Sequence, residues 1–130
     1  MTSPKEVVAN FLSRFSEGDV PAILACMTDD ATWWVAGKLK GISGTNDKLA
    51  LGKLLEQVKP IYINGALRIT PSKFVTEGNT VACEAESFAE LVDGRIYANQ
   101  YHFSIEVECG KISSVREYSD TQHMLEIFGR

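Results

Sequence analysis

Proton-transfer chemistry needs carboxylates or imidazoles in positions where water is scarce, and the late half of this chain offers a few. Asp120 closes the segment Gly110-Lys111-Ile112-Ser113-Ser114-Val115-Arg116-Glu117-Tyr118-Ser119-Asp120, which follows the alternating stretch Tyr97–Val107. A carboxylate half-buried at a strand end has a raised pKa and can shuttle a proton near neutral pH. Asp120 also precedes Thr121-Gln122-His123-Met124-Leu125, and Asp is a favoured helix cap. Both roles stay open, and one residue can serve both. His102, inside Tyr101-His102-Phe103, reads either as a proton partner of Asp120 across a hairpin or as an imidazole satisfied on a sheet face. Glu84, Glu86 and Glu90 share one strand face by period-two spacing, together with Ala82 and Phe88. That face is mixed, although solvated edge charges are the usual account of such a row.

Trp33 and Trp34 are adjacent, so on a strand they point to opposite sides. One then packs in the core or a pocket wall, the other at an interface. Tyr97, Asn99 and Tyr101 lie opposite His102, and Phe103, Ile105 and Val107 continue their alternation. That stripe is either the core or a dimer face. Trp33, Trp34, Glu84, Tyr97, Asn99 and Tyr118 are the candidate substrate contacts, and Asp120, His102 and Glu86 the candidate catalytic groups.

No cofactor or metal is expected. Cys26, Cys83 and Cys109 are odd in number and widely spaced, with no Cys-x-x-Cys pair, and His102 and His123 are not at zinc-ligand spacing from them. They read as two small core thiols and one turn residue. The loop Gly37–Gly44 lacks both the Gly-x-Gly-x-x-Gly pattern and a Lys-Ser/Thr ending, so no nucleotide fingerprint is present.

These residues need a scaffold. The chain has 130 residues, the size of one domain with one core. A hydrophobic share of 45% and a charged share of 23% are those of an ordinary globular protein. The net charge of −4 argues against nucleic-acid binding, which needs a basic surface. No apolar run approaches the roughly 20 residues that span a bilayer, and Met1–Glu6 does not look like a signal peptide. A cytoplasmic location, without membrane contact, is the expectation.

Ser3-Pro4-Lys5-Glu6 predicts a helix start with a capping box. Val7, Val8, Phe11, Leu12 and Phe15 follow at helical spacing, and Gly18 ends the helix. Asp19 caps a second short helix carrying Ile23, Leu24 and Met27. Ala31–Ala36 reads as a strand. A third helix is expected from about Thr45 to Lys59, with Leu49, Leu54, Leu55 and Val58 in the core and Pro60 as its stop. The rest reads as sheet: Ile61–Ile63, Ala66–Thr76 with Pro71 marking an edge or bulge, Thr80–Leu91, Ile96–Val107 and Lys111–Ser119. Glu77-Gly78-Asn79, Asp93-Gly94 and Cys109-Gly110 supply the turns. Thr121–Phe128 closes as a short helix. Three helices followed by an antiparallel meander predict an α+β cone, a curved sheet with helices over one face.

This order, and above all the run from Gly94-Arg95-Ile96-Tyr97-Ala98-Asn99-Gln100-Tyr101 through Gly110-Lys111-Ile112 to Arg116-Glu117-Tyr118-Ser119-Asp120, resembles the nuclear transport factor 2-like superfamily. Within it the chain resembles the SnoaL-like proteins, which include polyketide cyclases and neighbour ketosteroid isomerase and limonene-epoxide hydrolase. The resemblance spans essentially the whole chain and implies the cone fold. It implies an acid/base role for Asp120, with partners on the preceding strand, where Gln100, His102 and Ser104 share a face. It also implies that Glu84 or Glu86 lies near the cavity. The epoxide hydrolase mechanism is disfavoured because its arginine has no counterpart. The ketosteroid isomerase mechanism is disfavoured because Trp33–Lys40 holds no carboxylate. The resulting expectation is a homodimer that binds a small, largely apolar molecule in the cone. Cofactor-free isomerisation or aldol-type cyclisation centred on Asp120 is one reading. A non-catalytic ligand- or protein-binding dimer is the other.

Overall fold

The computed structural model describes residues 2–129. Helix α1 (Pro4–Glu17) starts on the Ser3–Glu6 capping box and ends at Gly18, whose φ of 78° is left-handed. A Cβ at Gly18 would lie 2.5 Å from the Gly65 carbonyl oxygen, so glycine also lets the approach to the sheet pass close beneath the helix end. Asp19 caps α2 (Val20–Ala25) through the Ala22 N–H. Next come β1 (Met27–Val35), β2 (Gly44–Asp47) and α3 (Lys48–Val58), then a short 3-10 turn at Lys59–Ile61. The remainder is β3 (Arg68–Glu77), β4 (Thr80–Glu90), β5 (Ile96–Tyr97), β6 (Gln100–Glu108), β7 (Lys111–Ser119) and α4 (Thr121–Phe128).

The strands form one curled sheet in the order β2-β1-β7-β6-β4-β3, with β5 paired to the end of β4. The sheet is mixed rather than wholly antiparallel, because β7 runs parallel to β1, with Trp33 beside Val115 and Val35 beside Glu117. The late hairpins make the antiparallel meander, and its last strand then joins the first strand of the chain. Helix α1 lies across the concave face, touching β3, β4, β6 and β7. Ser16 Oγ pins the outer strand by accepting the Ile69 N–H at 2.9 Å. Pro71 sits at a register shift in β3, which is the sheet's edge strand, where a missing N–H is tolerated.

Two further expectations are corrected. The third helix begins at Lys48, since Gly44–Asp47 pairs with β1 and Asp47 then caps α3. Its buried positions are Leu51 and Gly52, and Leu55 packs against the core as expected, while Leu49 and Leu54 are 70% and 36% exposed. The expected strand Ile96–Val107 is interrupted at Ala98–Asn99, where the Asn99 side chain accepts the Gln100 N–H.

A single apolar cluster joins α1, α2, α3, α4 and the concave sheet face. Cys83 is buried in it, Cys26 is partly buried, and Cys109 is exposed in the β6–β7 turn. Burial pushes the Cys83 thiol up to about 11, which keeps it protonated and unreactive. Among the described residues no helix is long and apolar enough to cross a membrane.

Candidate functional site

Between the concave face and helices α3 and α4 lies a cavity of about 500 Å³, a size typical of small-molecule pockets. Its floor is Trp33 and Val35 of β1, Tyr97 of β5, Tyr101 of β6 and Glu117 of β7. Phe15, Leu51, Leu55, Met124 and Phe128 wall it, and Asn46 and Gln57 also border it.

Glu117 is the charged residue buried among the described ones, at 8% exposure. Its direction follows from register. Phe103 pairs with Glu117 and Ile105 with Val115, so period-two alternation puts Glu117 on the face of those apolar partners. Its Oε1 accepts a 2.9 Å hydrogen bond from Trp33 Nε1. Burial lifts the Glu117 pKa to about 7, against which the indole bond pulls downward. Desolvation dominates because one neutral donor replaces a full hydration shell. The Trp33 ring is fixed among Phe11, Phe15 and Phe103, with centroids 5.6 to 6.1 Å away.

A chain of hydroxyls lies along the same floor. Asn99 N–H donates to Ser87 Oγ at 3.2 Å, Ser87 Oγ donates to Tyr101 Oη at 3.1 Å, and the Tyr97 and Tyr101 hydroxyls are 2.8 Å apart. Asn99 Nδ2 donates to Tyr97 Oη at 2.8 Å. The Tyr97 ring is held by a stacked His123 ring and the edge of Phe128. Burial raises the pKa of both phenols, so both stay protonated at neutral pH. Among the described residues no group of three His, Cys, Asp or Glu side chains is placed to hold a metal ion.

Of the candidates drawn from the sequence, the structure brings Trp33 and Tyr97 to the cavity floor. Asn99 is buried behind it and holds the Tyr97 hydroxyl. The others lie elsewhere. Glu84, Glu86 and His102 are exposed on the convex face, with Glu84 paired to His102 and His102 to Tyr118. The correction is one of parity: Tyr101 and Phe103 point inward, so His102 between them points out. Trp34 and Tyr118 pack on each other outside, with the Arg116 guanidinium 3.9 Å from the Trp34 ring centre. Asp120 is exposed and does not line the cavity. Its carboxylate accepts the Gln122 and His123 N–H groups as the cap of α4. Sequence reasoning missed Glu117 as a site residue, although the alternation Val115, Glu117, Ser119 was there to be read.

A sequence profile of the SnoaL-like domain matches residues 8–115. No curated protein sequence matches the chain. Its fold is shared by several solved structures. The structure of TerC co-crystallised with polyporic acid has a TM-score of 0.80 at 20% identity, covering 95% of each chain. A nuclear transport factor 2-like protein of unknown function from Burkholderia pseudomallei gives 0.83 at 20% identity over 100% of both chains. The BvnE pinacolase from Penicillium brevicompactum gives 0.82 at 15% identity, covering 92% of this chain and 87% of that one.

Proposed function

This chain belongs to the SnoaL-like domain family, and within it we propose that the protein binds a small, largely apolar molecule in the cavity and moves a proton on it without a cofactor, through Glu117. The observation that carries this is a buried carboxylate with a pKa near 7 in the floor of a cavity whose other walls are mostly apolar. Such a group is half-ionised at neutral pH, so it can both take and return a proton. The remaining lining supplies the burial that keeps it so. Isomerisation and aldol-type cyclisation are reaction types that such a proton transfer serves. Similar folds co-crystallised with polyporic acid or named as a pinacolase are in keeping with a small organic ligand. The alternative, a binder without catalysis, uses the same cavity.

The test uses N-phenyl-1-naphthylamine, a neutral apolar fluorophore. It should bind with a fluorescence rise and be displaced by the true ligand. Trp33 emission should titrate with a midpoint near pH 7, since the indole donates to Glu117, and the Glu117→Gln variant should lose that titration. A probe that does not bind defeats the cavity reading. A titration unchanged in Glu117→Gln defeats the proton-transfer reading.

The convex face is the surface through which a homodimer would form. It carries Trp34, Tyr118 and Phe88 beside Arg116 and His102, a mixture of aromatic and charged groups suited to a self-complementary contact. Sedimentation at tens of micromolar should give a dimer; a monomer there counts against it.

A further inference from the structure

The hydroxyl chain on the cavity floor holds one more proton than the described residues accept. Ser87 gives its proton to Tyr101, and its own oxygen is taken by the Asn99 N–H. Tyr97 and Tyr101 share one bond, in which either can donate. Tyr97 also receives the Asn99 amide, whose orientation is fixed because its Oδ1 accepts the Gln100 and Asp120 N–H groups. Two phenolic protons therefore serve one phenol–phenol bond. Whichever way that bond points, the other proton has no acceptor among the described residues, and both rings line the cavity. At the same end, Ser119, paired across from Tyr101, has a buried Oγ without a partner among the described residues. Buried polar groups left unpaired are costly.

We infer that the cavity selects a ligand bearing a carbonyl oxygen, which accepts the free phenolic proton of the Tyr97–Tyr101 pair. The ligand's apolar body then lies toward α3 and α4. This deepens the proposed function and rests on the same cavity. A carbonyl oxygen suits the corner because it only accepts; a hydroxyl would bring a further proton to a place already rich in donors. Glu117 completes the discrimination. It lies on the same face, two pairs along the β6–β7 ladder from Tyr101. A ligand carboxylate would meet its charge above pH 7, so a neutral carbonyl compound is favoured.

The arrangement has a signature in paired variants. Removing the Tyr97 hydroxyl frees the Tyr101 proton for the cavity, and removing the Tyr101 hydroxyl frees that of Tyr97. Only the double change removes both protons of this pair; the Tyr62 phenol, which also lines the cavity, is the same in all four proteins and cancels from the comparison. The probes are 4-phenylcyclohexanone and its methylidene analogue, which has the same shape and no acceptor. Each is titrated by displacement of N-phenyl-1-naphthylamine from the wild type, Tyr97→Phe, Tyr101→Phe and the double variant. The readout is the affinity ratio of ketone to alkene, which cancels general losses of stability or packing. The ratio should fall about tenfold in the double variant, the size of one good hydrogen bond, and less than about threefold in either single variant. In the wild type, the carbonyl stretch of the bound ketone should lie below its position in hydrocarbon solvent, a measurement that needs no variant.

A ratio unchanged in the double variant, with both compounds still displacing the fluorophore, overturns the carbonyl assignment and leaves the cavity reading intact. A carbonyl stretch at its hydrocarbon position does the same. Full loss in one single variant overturns the sharing of the proton. Failure of both compounds to displace a bound fluorophore overturns the carbonyl assignment, and failure of the fluorophore itself to bind overturns both readings together.

Discussion

On the concave face of the sheet, Glu117 sits among aromatic rings with one indole as its hydrogen-bond donor; on the convex face, Glu84, Glu86, Glu90 and Glu106 stand exposed. The same comparison can be made with adjacent tryptophans. Trp33 is buried and fixes the carboxylate, whereas Trp34 lies outside under an arginine. Residue type is shared between the faces, and water is not. The four outer glutamates keep their hydration. Glu117 loses its hydration, and its ionisation moves into the range where a proton can be exchanged. Chemistry on this sheet is therefore decided by strand parity, one residue at a time.

The largest expected contrast is between the tryptophans. Trp33→Ala removes a ring packed against Phe11, Phe15 and Phe103 and also the donor to Glu117. Such a core deletion costs about 3–5 kcal/mol. Trp34→Ala loses an edge contact to Tyr118 and the stacked Arg116, worth about 1 kcal/mol. Urea denaturation of the two variants measures both. Equal losses would break the distinction between the faces.

A second contrast concerns pH. Between pH 4.5 and about 7 the folded protein keeps the Glu117 proton that the unfolded chain has released. The folded state then binds more protons, so this group's contribution to stability falls as pH rises through that window and levels off above it. The shift corresponds to up to about 3 kcal/mol. Glu117→Gln escapes it, and should match the wild type at pH 4 and exceed it by up to that amount at pH 8. Glu84→Gln, on the outer face, should stay within about 0.5 kcal/mol at both. Denaturation midpoints of the two variants at the two pH values decide it. A gain from Glu117→Gln at pH 4 as large as at pH 8 would mean that packing, not ionisation, is the cause.

Much of the scaffold could be read from the sequence, because its signals are local. The Ser3–Glu6 capping box, the glycine end at Gly18, the Asp19 cap, the strand Lys111–Ser119 and the helix Thr121–Phe128 all depend on near neighbours. What failed depends on long-range pairing. Gly44–Asp47 is a strand only because β1 is there to receive it. The parallel contact of β1 and β7 joins the two ends of the chain. The site divided in the same way. Tyr97, Asn99 and Tyr101 were correctly grouped by alternation, but whether their stripe faced in or out was a question for the helices above it. His102, Glu84 and Glu86 are candidates by residue type and lie on the other face. Glu117 was passed over between two exposed neighbours, Arg116 and Tyr118, whose polarity disguised the inward step.

The smallest contrast is between two carboxylates three residues apart, Glu117 and Asp120. Asp120 spends its carboxylate on the Gln122 and His123 N–H groups. Its backbone meanwhile bonds Asn99 in both directions, through N–H to Oδ1 and through the carbonyl from Nδ2. Asp120→Ala should cost about 1 kcal/mol through the lost cap, and Asp120→Asn only a few tenths, because Asn caps nearly as well. Neither removes the backbone bonds that help hold Asn99, and through it Tyr97. Both variants should therefore keep the Trp33 titration near pH 7 and the ketone-to-alkene affinity ratio. Fluorescence titration of Asp120→Asn is the sharper measurement, since the shape of the cap is retained and only the charge is lost. If the Trp33 titration disappears in Asp120→Asn and survives in Glu117→Gln, the proton resides on Asp120, and the strand-end carboxylate rather than the buried one is the acid/base of this cavity.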